Sequence, residues 1–295
     1  MICLAGCGRI GFDPSSGATP DSAIGDLDAA LPLVTVDPAG LPPFGVVSIV
    51  SELSLAGTDD DDPYLTRDQL EVCFDSTRGG TDDLWTSRRA LVSESWSAPT
   101  PVVMANTSNS EEHPVLSADG LTLYFTSNRS GDPDLWFSTR ADRMSPFGPP
   151  AQVAIVNTPN SERMGSLDAL DQALFLSSTR NTANDQLFEA RRSTSTQAWS
   201  VPILVAEIAT PAGDPSVHVD DRGLAMYLVQ GSGADPDLYW TTRAVAGSPW
   251  AATVPLPELN TPAAETDPWL SPDLRTVYFV RDTGPGTKDI YTASR

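Results

Sequence analysis

The chain has 295 residues, and 39 acidic against 18 basic residues give it a formal net charge of −21. A surface this acidic repels nucleic acid and anionic lipid, so we expect no nucleic-acid partner. It favours a cation or a basic partner, or it is simply a solvated surface. The three cysteines do not indicate a disulfide framework.

The N-terminal segment differs in composition from the rest of the chain. Leu4-Ala5-Gly6-Cys7 resembles the lipobox of bacterial lipoproteins, in which the cysteine is lipidated. We therefore predict residues 1–7 as the remnant of a signal peptide and Cys7 as the lipid-bearing residue. Only six residues precede Cys7, so the sequence lacks a complete signal peptide, and we expect either that translation starts upstream or that the sequence has been trimmed. Residues 8–43, rich in Pro, Gly and Asp, predict a flexible tether.

Residues 44–295 contain a repeat with a period near 50. An apolar anchor of the second predicted strand recurs at spacings of 51, 51, 52 and 51 residues. These anchors are Val72, Leu123, Leu174, Met226 and Val277. Aromatic anchors of the third strand keep the same phase at Trp85, Trp136, Phe188, Tyr239 and Tyr291. Four short strands in each such unit predict one all-β domain, a β-propeller with five blades.

The fourth strand of each unit and the end of the chain together predict how the ring closes. A fourth strand opens with an aromatic residue at Trp96, Phe147, Trp199 and Trp250, but the fifth unit ends before it. Phe44 lies 52 residues before Trp96, in phase with the series. We therefore predict that residues 44–53 supply the fourth strand of the last blade, which removes two open sheet edges.

The repeat also resembles a known family. The unit Pro-x-Leu-Ser-x-Asp-Gly…Leu-Tyr-Phe-x-Ser-x-Arg…Asp-Leu-Trp, seen at residues 114–136 and again at 268–291, is similar to the TolB-like, WD-repeat-like propeller repeat of bacterial envelope proteins. The resemblance covers residues 44–295 and implies six blades as the alternative to five. It also implies an envelope location, with contact to the membrane only through a lipid anchor.

Acidic residues precede the first strand of most units. They recur three residues before the start of that strand, at Asp60, Glu111, Glu162 and Glu265, with further acids at Asp59, Asp61, Asp62, Glu112, Asp214 and Asp267. In a propeller these loops gather around one end of the central channel, so we predict a ring of acids. Arginines follow the second strand in three of the same units, at Arg78, Arg129 and Arg180. The acids either form a functional site or pair with these arginines, and the coincidence favours pairing.

Few other residues indicate chemistry. His113 lies beside Glu111 and Glu112, near the predicted channel mouth. The run Asp59–Asp62 suggests calcium, but a ligand loop with a central Gly and a closing Glu is absent. We therefore predict no cofactor and no metal site, with a divalent cation such as calcium as the weaker alternative. No nucleophile motif is present either, so we assign no catalytic residue.

Two functions remain open. The first is a monomeric, non-enzymatic envelope scaffold that binds a protein or a small ligand on the face carrying Asp60, Glu111, Glu112, His113, Glu162, Glu265, Arg78, Arg129 and Arg180. The second is a glycan-directed hydrolase that uses channel carboxylates, because a glycosidase needs only two acids. Regular repeats are typical of binding surfaces and favour the first.

Overall fold

The computed structural model describes residues 37–208, 216–231, 236–284 and 287–295. These residues form five antiparallel sheets of four strands each, arranged as the blades of a propeller. The five-bladed prediction is therefore confirmed, and the six-bladed alternative is wrong. The described helices are three short 3₁₀ turns, at Pro38–Gly40, Thr77–Gly79 and Ala206–Ile208. None of the described helices is long and apolar enough to cross a membrane.

Blades 1 to 4 run from the channel outward in chain order. Blade 1 contains β2 (Asp60–Leu65), β3 (Glu71–Ser76), β4 (Asp83–Arg88) and β5 (Thr100–Pro101). Blade 2 contains β6 (Glu111–Leu116), β7 (Thr122–Ser127), β8 (Asp134–Thr139) and β9 (Ala151–Gln152). Blade 3 contains β10 (Glu162–Leu167), β11 (Ala173–Ser178), β12 (Gln186–Arg191) and β13 (Ile203–Leu204). Blade 4 contains β14 (Val217–Val219), β15 (Ala225–Gln230), β16 (Asp237–Thr242) and β17 (Val254–Pro255).

Blade 5 joins the two ends of the domain. It contains β18 (Ala264–Leu270), β19 (Thr276–Asp282), β20 (Lys288–Ser294) and, as its outer strand, β1 (Ser48–Ile49). The strand β1 is antiparallel to β20, with Ser48 opposite Thr292. Closure by an N-terminal strand is therefore confirmed. The regular strand is shorter than the predicted residues 44–53, because the chain turns at Val50–Leu53 to bury Leu53.

The predicted strand anchors form the core between blades. The second-strand anchors Val72, Leu123, Leu174, Met226 and Val277 are all buried. They join apolar clusters that each combine residues of neighbouring blades, and burial of one large apolar side chain contributes roughly 1.5–3 kcal/mol. The packing of each blade on the next therefore holds the ring together.

A five-fold arginine contact, not foreseen from the sequence, repeats around the ring. One arginine after each third strand lies over the aromatic residue that opens a fourth strand. The pairs, with the distance from guanidinium carbon to ring centre, are Arg89–Trp96 at 4.1 Å, Arg140–Phe147 at 4.5 Å, Arg192–Trp199 at 4.0 Å, Arg243–Trp250 at 4.3 Å and Arg295–Phe44 at 4.1 Å. The fifth pair connects the two ends of the domain, so the cation–π contact supports closure as well as each blade.

Candidate functional site

Four acids of the predicted ring are buried and paired with arginines inside the blades. We call Asp60, Glu111, Glu162 and Glu265 the blade acids; all four are fully buried. Each forms an ion pair with an arginine of its own blade. The partners are Arg78 for Asp60, Arg129 for Glu111 at 3.0 Å, Arg180 for Glu162 at 3.3 Å and Arg281 for Glu265 at 2.7 Å. Arg281, which pairs in blade 5, is an arginine that the sequence analysis did not single out.

Glu265 shows how completely a blade acid is bonded. Its Oε2 accepts the backbone N–H of Thr261 at 2.9 Å, and its Oε1 accepts the Thr261 hydroxyl at 2.6 Å. The same Oε1 accepts Arg281 Nε at 2.7 Å. A buried carboxylate bonded in this way fastens the inter-blade loop to its blade. The blade acids are therefore not available to a ligand in this arrangement.

The residues just after the blade acids have a different orientation. In blades 1, 2 and 5 the pairing register of the first strand shifts between Asp61 and Tyr64, Glu112 and Val115, and Thr266 and Trp269. Within each bulge one residue followed by proline has a positive φ. These residues are Asp62 at 51°, His113 at 53° and Asp267 at 52°. Bulges redirect side chains, and non-glycine residues with positive φ cluster at functional sites.

These bulges open onto a pocket of about 350 Å³ on the ring axis. We call it the channel mouth. It is lined by Asp61, Asp62, Asp75, Asp82, Glu112, His113, Arg163, Ser216, Thr266, Asp267 and Lys288. Because every blade contributes to the lining, the pocket lies where the five inter-blade loops converge. Six carboxylates face two basic side chains there, so the channel mouth is strongly acidic.

Four of these carboxylates, Asp61, Asp62, Asp75 and Asp267, form a cluster that we call the mouth acids. Oxygen atoms of Asp61, Asp62 and Asp75 lie within 4.8 Å of one another. Burial, together with repulsion from Asp267, raises the pKa of Asp61 to about 6. Burial and the neighbouring Asp62 raise the pKa of Asp267 to about 6 as well. Burial is also the main reason that the pKa values of Asp62 and Asp75 lie well above their usual range.

The basic groups of the pocket balance only part of this charge. Lys288 forms an ion pair with Asp61. Burial opposes the charged form of Lys288, but the Asp61 carboxylate outweighs it and raises the lysine pKa. Arg163 pairs with Asp185 at 3.3 Å. His113 lies between two acids, with Nε2 3.7 Å from Asp62 Oδ2 and Nδ1 3.8 Å from Glu112 Oε2. One lysine and one histidine therefore serve four mouth acids.

Beyond the mouth, the ring axis is filled by side chains. His218 packs against Tyr64 at 5.8 Å and against Trp269 at 5.7 Å between ring centres. Burial lowers the pKa of His218 to about 3, so this histidine is neutral. The remaining cavity in this part of the axis has a volume of about 40 Å³. A ligand at the channel mouth therefore has a closed floor beneath it.

The structure thus divides the predicted binding face into two groups. Glu112 and His113 line the channel mouth, whereas the blade acids and Arg78, Arg129 and Arg180 do not. Asp75 and Lys288 join the pocket without having been singled out from the sequence. The signal that distinguishes Asp62, His113 and Asp267 is the Asp-Pro or His-Pro pair two residues after three of the four blade acids. Cys7 lies outside the described residues.

No protein-family model matches the sequence, and no curated protein matches it. Solved structures with a similar fold do exist. TolB from Agrobacterium tumefaciens has a TM-score of 0.50 and 11% identity, with 80% of this chain and 76% of that chain covered. The catalytic domain of the Coprinopsis cinerea GH62 α-L-arabinofuranosidase has a TM-score of 0.55 and 12% identity, with coverages of 80% and 90%.

TolB from Acinetobacter baumannii is a third neighbour, with a TM-score of 0.49, 14% identity and 80% of this chain covered. The chain spans about half of that protein, 54% of its length. At these identities the similarity establishes the propeller fold alone. It is shared by TolB proteins and by glycoside hydrolases, so the fold does not decide between the two functions.

Proposed function

We propose that the protein is a non-enzymatic propeller of the bacterial envelope that binds a positively charged group of a protein or small ligand at its channel mouth. The observation that carries this proposal is the convergence of six carboxylates and only two basic side chains on one open pocket of about 350 Å³. Clefts lined by one sign of charge concentrate ligands of the opposite sign. The closed floor of the axis supports binding at the mouth rather than passage through the ring.

The spacing of the mouth acids also favours binding over hydrolysis. Glycosidases hold their two carboxyl groups about 5–5.5 Å or about 6.5–9.5 Å apart, across the bond to be cleaved. Here one oxygen each of Asp61, Asp62 and Asp75 lies within 4.8 Å of the others. Carboxylates this close to one another favour the binding of one positively charged group between them. A hard divalent cation such as calcium also prefers oxygen ligands, so it is one form that this ligand could take.

The test is a titration of the full chain with trilysine at low ionic strength, measured by calorimetry. A triple variant, Asp61→Asn with Asp62→Asn and Asp267→Asn, should weaken binding about tenfold or more, because charge-assisted hydrogen bonds are lost. The control removes three charges from exposed sites, Glu94→Gln with Asp132→Asn and Glu207→Gln. Equal weakening in the two triple variants would show that trilysine responds to net charge alone and would refute the proposed site.

One observation favours the hydrolase as a second candidate. Asp61 and Asp267 have pKa values raised to about 6, a property that suits a general acid, in a pocket large enough for one sugar ring. The fold is also that of the Coprinopsis arabinofuranosidase. Release of nitrophenol from p-nitrophenyl α-L-arabinofuranoside, abolished by Asp267→Asn, would replace the binding proposal with this one.

The envelope location rests on the lipobox-like residues Leu4–Cys7 and the tether that follows. Expressed behind a complete lipoprotein signal peptide that ends at Gly6, the protein should partition into the membrane fraction, and Cys7→Ser should release it. Unchanged partitioning of Cys7→Ser would refute lipidation at Cys7. The monomeric state remains a prediction.

A further inference from the structure

Two corresponding grooves open between neighbouring blades on the face opposite the channel mouth. Groove A lies between blades 1 and 2 and has a volume of about 360 Å³. Groove B lies between blades 2 and 3 and has a volume of about 580 Å³. The repeat makes each position of one groove comparable with a position of the other. Arg143, three residues after Arg140, corresponds to Ser195, three residues after Arg192.

An arginine of the chain itself occupies the space between blades 1 and 2. Arg143 Nη1 donates to Asp68 Oδ2 at 2.6 Å, and Nη2 donates to Thr66 Oγ1 at 3.1 Å. Its Nε lies 3.6 Å from Glu71 Oε2. Both the arginine and Asp68 are largely buried, with 14% of each side chain exposed. A guanidinium from blade 2 thus satisfies the carboxylate in the turn of blade 1.

Groove B has the same carboxylate but lacks the counterpart of Arg143. Its own arginine, Arg192, corresponds to Arg140, lines the groove and donates Nε to the backbone carbonyl of Asp171 at 2.6 Å. Asp119 lies 51 residues after Asp68 and makes the same turn contacts, accepting the Ser117 hydroxyl at 2.6 Å and the Leu121 N–H at 2.9 Å. The position of Arg143 is taken by Ser195, which is short and exposed. In the part of the chain that the structure describes, no ion pair involves Asp119. The larger volume between blades 2 and 3 is consistent with this missing side chain.

A second carboxylate lies where groove A has a glycine. In blade 2 this turn position is Gly120, and a Cβ there would lie 3.4 Å from Arg143 Nε. In blade 3 the position is Asp171, which has a φ of 51° and lines groove B. The Asp171 carboxylate therefore lies on the side of groove B where it would contact a guanidinium placed as that of Arg143 is between blades 1 and 2. Its Oδ1 is shielded from solvent and has no hydrogen-bond partner among the described residues.

We propose that groove B binds the guanidinium group of an arginine side chain from a basic partner protein, between Asp119 and Asp171. The guanidinium of Arg143, which pairs with Asp68 between blades 1 and 2, shows that the turn carboxylate shared by the two blades accepts this group. Two carboxylates suit the forked donors of arginine better than the compact ammonium of lysine. The half-buried ring of Phe137, in the wall of the groove, offers an apolar surface for the flat guanidinium. This site is on the opposite face from the channel mouth and does not depend on it.

The test is a titration of the full chain with N-acetyl-L-arginine amide, monitored by NMR. The backbone amides of Asp171 and Gln197 should shift on saturation, and N-acetyl-L-lysine amide should bind about tenfold more weakly. Asp171→Asn should weaken arginine binding about tenfold or more, because the amide accepts hydrogen bonds without charge. Asp142→Asn, which removes an exposed charge on the same face, should leave binding unchanged.

A second variant tests the occupant directly. Ser195→Arg restores the arginine of groove A at the corresponding position, so it should abolish binding of the arginine probe and raise the midpoint of thermal unfolding. Trilysine binding at the channel mouth should be unaffected by it, which separates the two sites. Equal affinity for the arginine and lysine probes would overturn the proposal. So would undiminished arginine binding by Ser195→Arg.

Discussion

Three of the mouth acids, Asp61, Asp62 and Asp267, lie one or two residues after a blade acid in the sequence and have opposite surroundings. Glu265, a blade acid, accepts hydrogen bonds from Thr261 and Arg281. Asp267, a mouth acid two residues later, is buried and lies beside the charge of Asp62, and both raise its pKa. Each blade acid has an arginine of its own, whereas the four mouth acids share one lysine and one histidine. Burial among donors stabilises a carboxylate, whereas burial among other acids destabilises it.

This contrast explains why only one set is a candidate for function. A carboxylate that the fold bonds completely has no capacity left for a ligand. A carboxylate that repels its neighbours makes the folded state less stable, and such groups are typical of binding and catalytic sites. We therefore expect substitutions in the two sets to change stability in opposite directions.

The largest effect is expected from removal of a blade acid. Glu265→Ala leaves Arg281, which is 15% exposed, without its carboxylate. Breaking a buried ion pair in this way costs about 3–5 kcal/mol of unfolding free energy. Urea denaturation measures the loss, and the double variant with Arg281→Met should lose less than the two single variants together. A loss below about 1 kcal/mol would remove the distinction between the two sets of acids.

Removal of a mouth acid should have a smaller effect of opposite sign. The pKa of Asp267 is raised from 3.8 to about 6, which corresponds to a few kcal/mol of destabilisation when it is ionised. Asp267→Asn keeps a residue that tolerates positive φ and removes the charge. We expect it to stabilise the protein by about 1–3 kcal/mol at pH 7.5. Thermal unfolding, with Asp132→Asn as the exposed control, checks this, and lower stability would contradict it.

The smallest effect is expected at the lysine that balances the cluster. Lys288 pairs with Asp61, and 37% of its side chain is exposed. Lys288→Met should remove about 1 kcal/mol or less at pH 7.5, because solvent at the exposed ammonium end of the pair screens the interaction. It should also raise the pKa of Asp61 above about 6, since the Lys288 charge lowers it. Carboxyl titration by NMR measures this pKa, and an unchanged value would show that the lysine does not act on the cluster.

The fold was predictable because its signals are local and repeated. Val72 and its counterparts keep one phase through five units, and Phe44 continues the phase of Trp96 across the ends of the domain. The arginine partners were predictable in part. Arg78, Arg129 and Arg180 stand six residues after their anchors, whereas Arg281 stands four after Val277 and reaches its acid from within the strand.

The channel mouth was harder to predict because its geometry depends on long-range placement. The acids Asp61, Asp62 and Asp267 were visible as neighbours of the blade acids, but the bulges decide which of them face the axis. Asp75 belongs to a strand in which every residue is buried, so its pattern indicates core. Lys288 reaches Asp61 across the junction of blades 5 and 1, more than 200 residues away in sequence.

The most direct test of this account is the pH dependence of the stability difference between the wild type and Asp267→Asn. Because the folded-state pKa of Asp267 is raised from 3.8 to about 6, the folded protein binds more protons between these values, and wild-type stability falls as pH rises through this window. The advantage of Asp267→Asn should therefore be small near pH 4, grow between pH 4 and about 6, and remain constant at about 1–3 kcal/mol above that. An advantage that does not change with pH, or a variant less stable than the wild type at pH 7.5, would show that the ionised Asp267 carboxylate does not destabilise the folded protein.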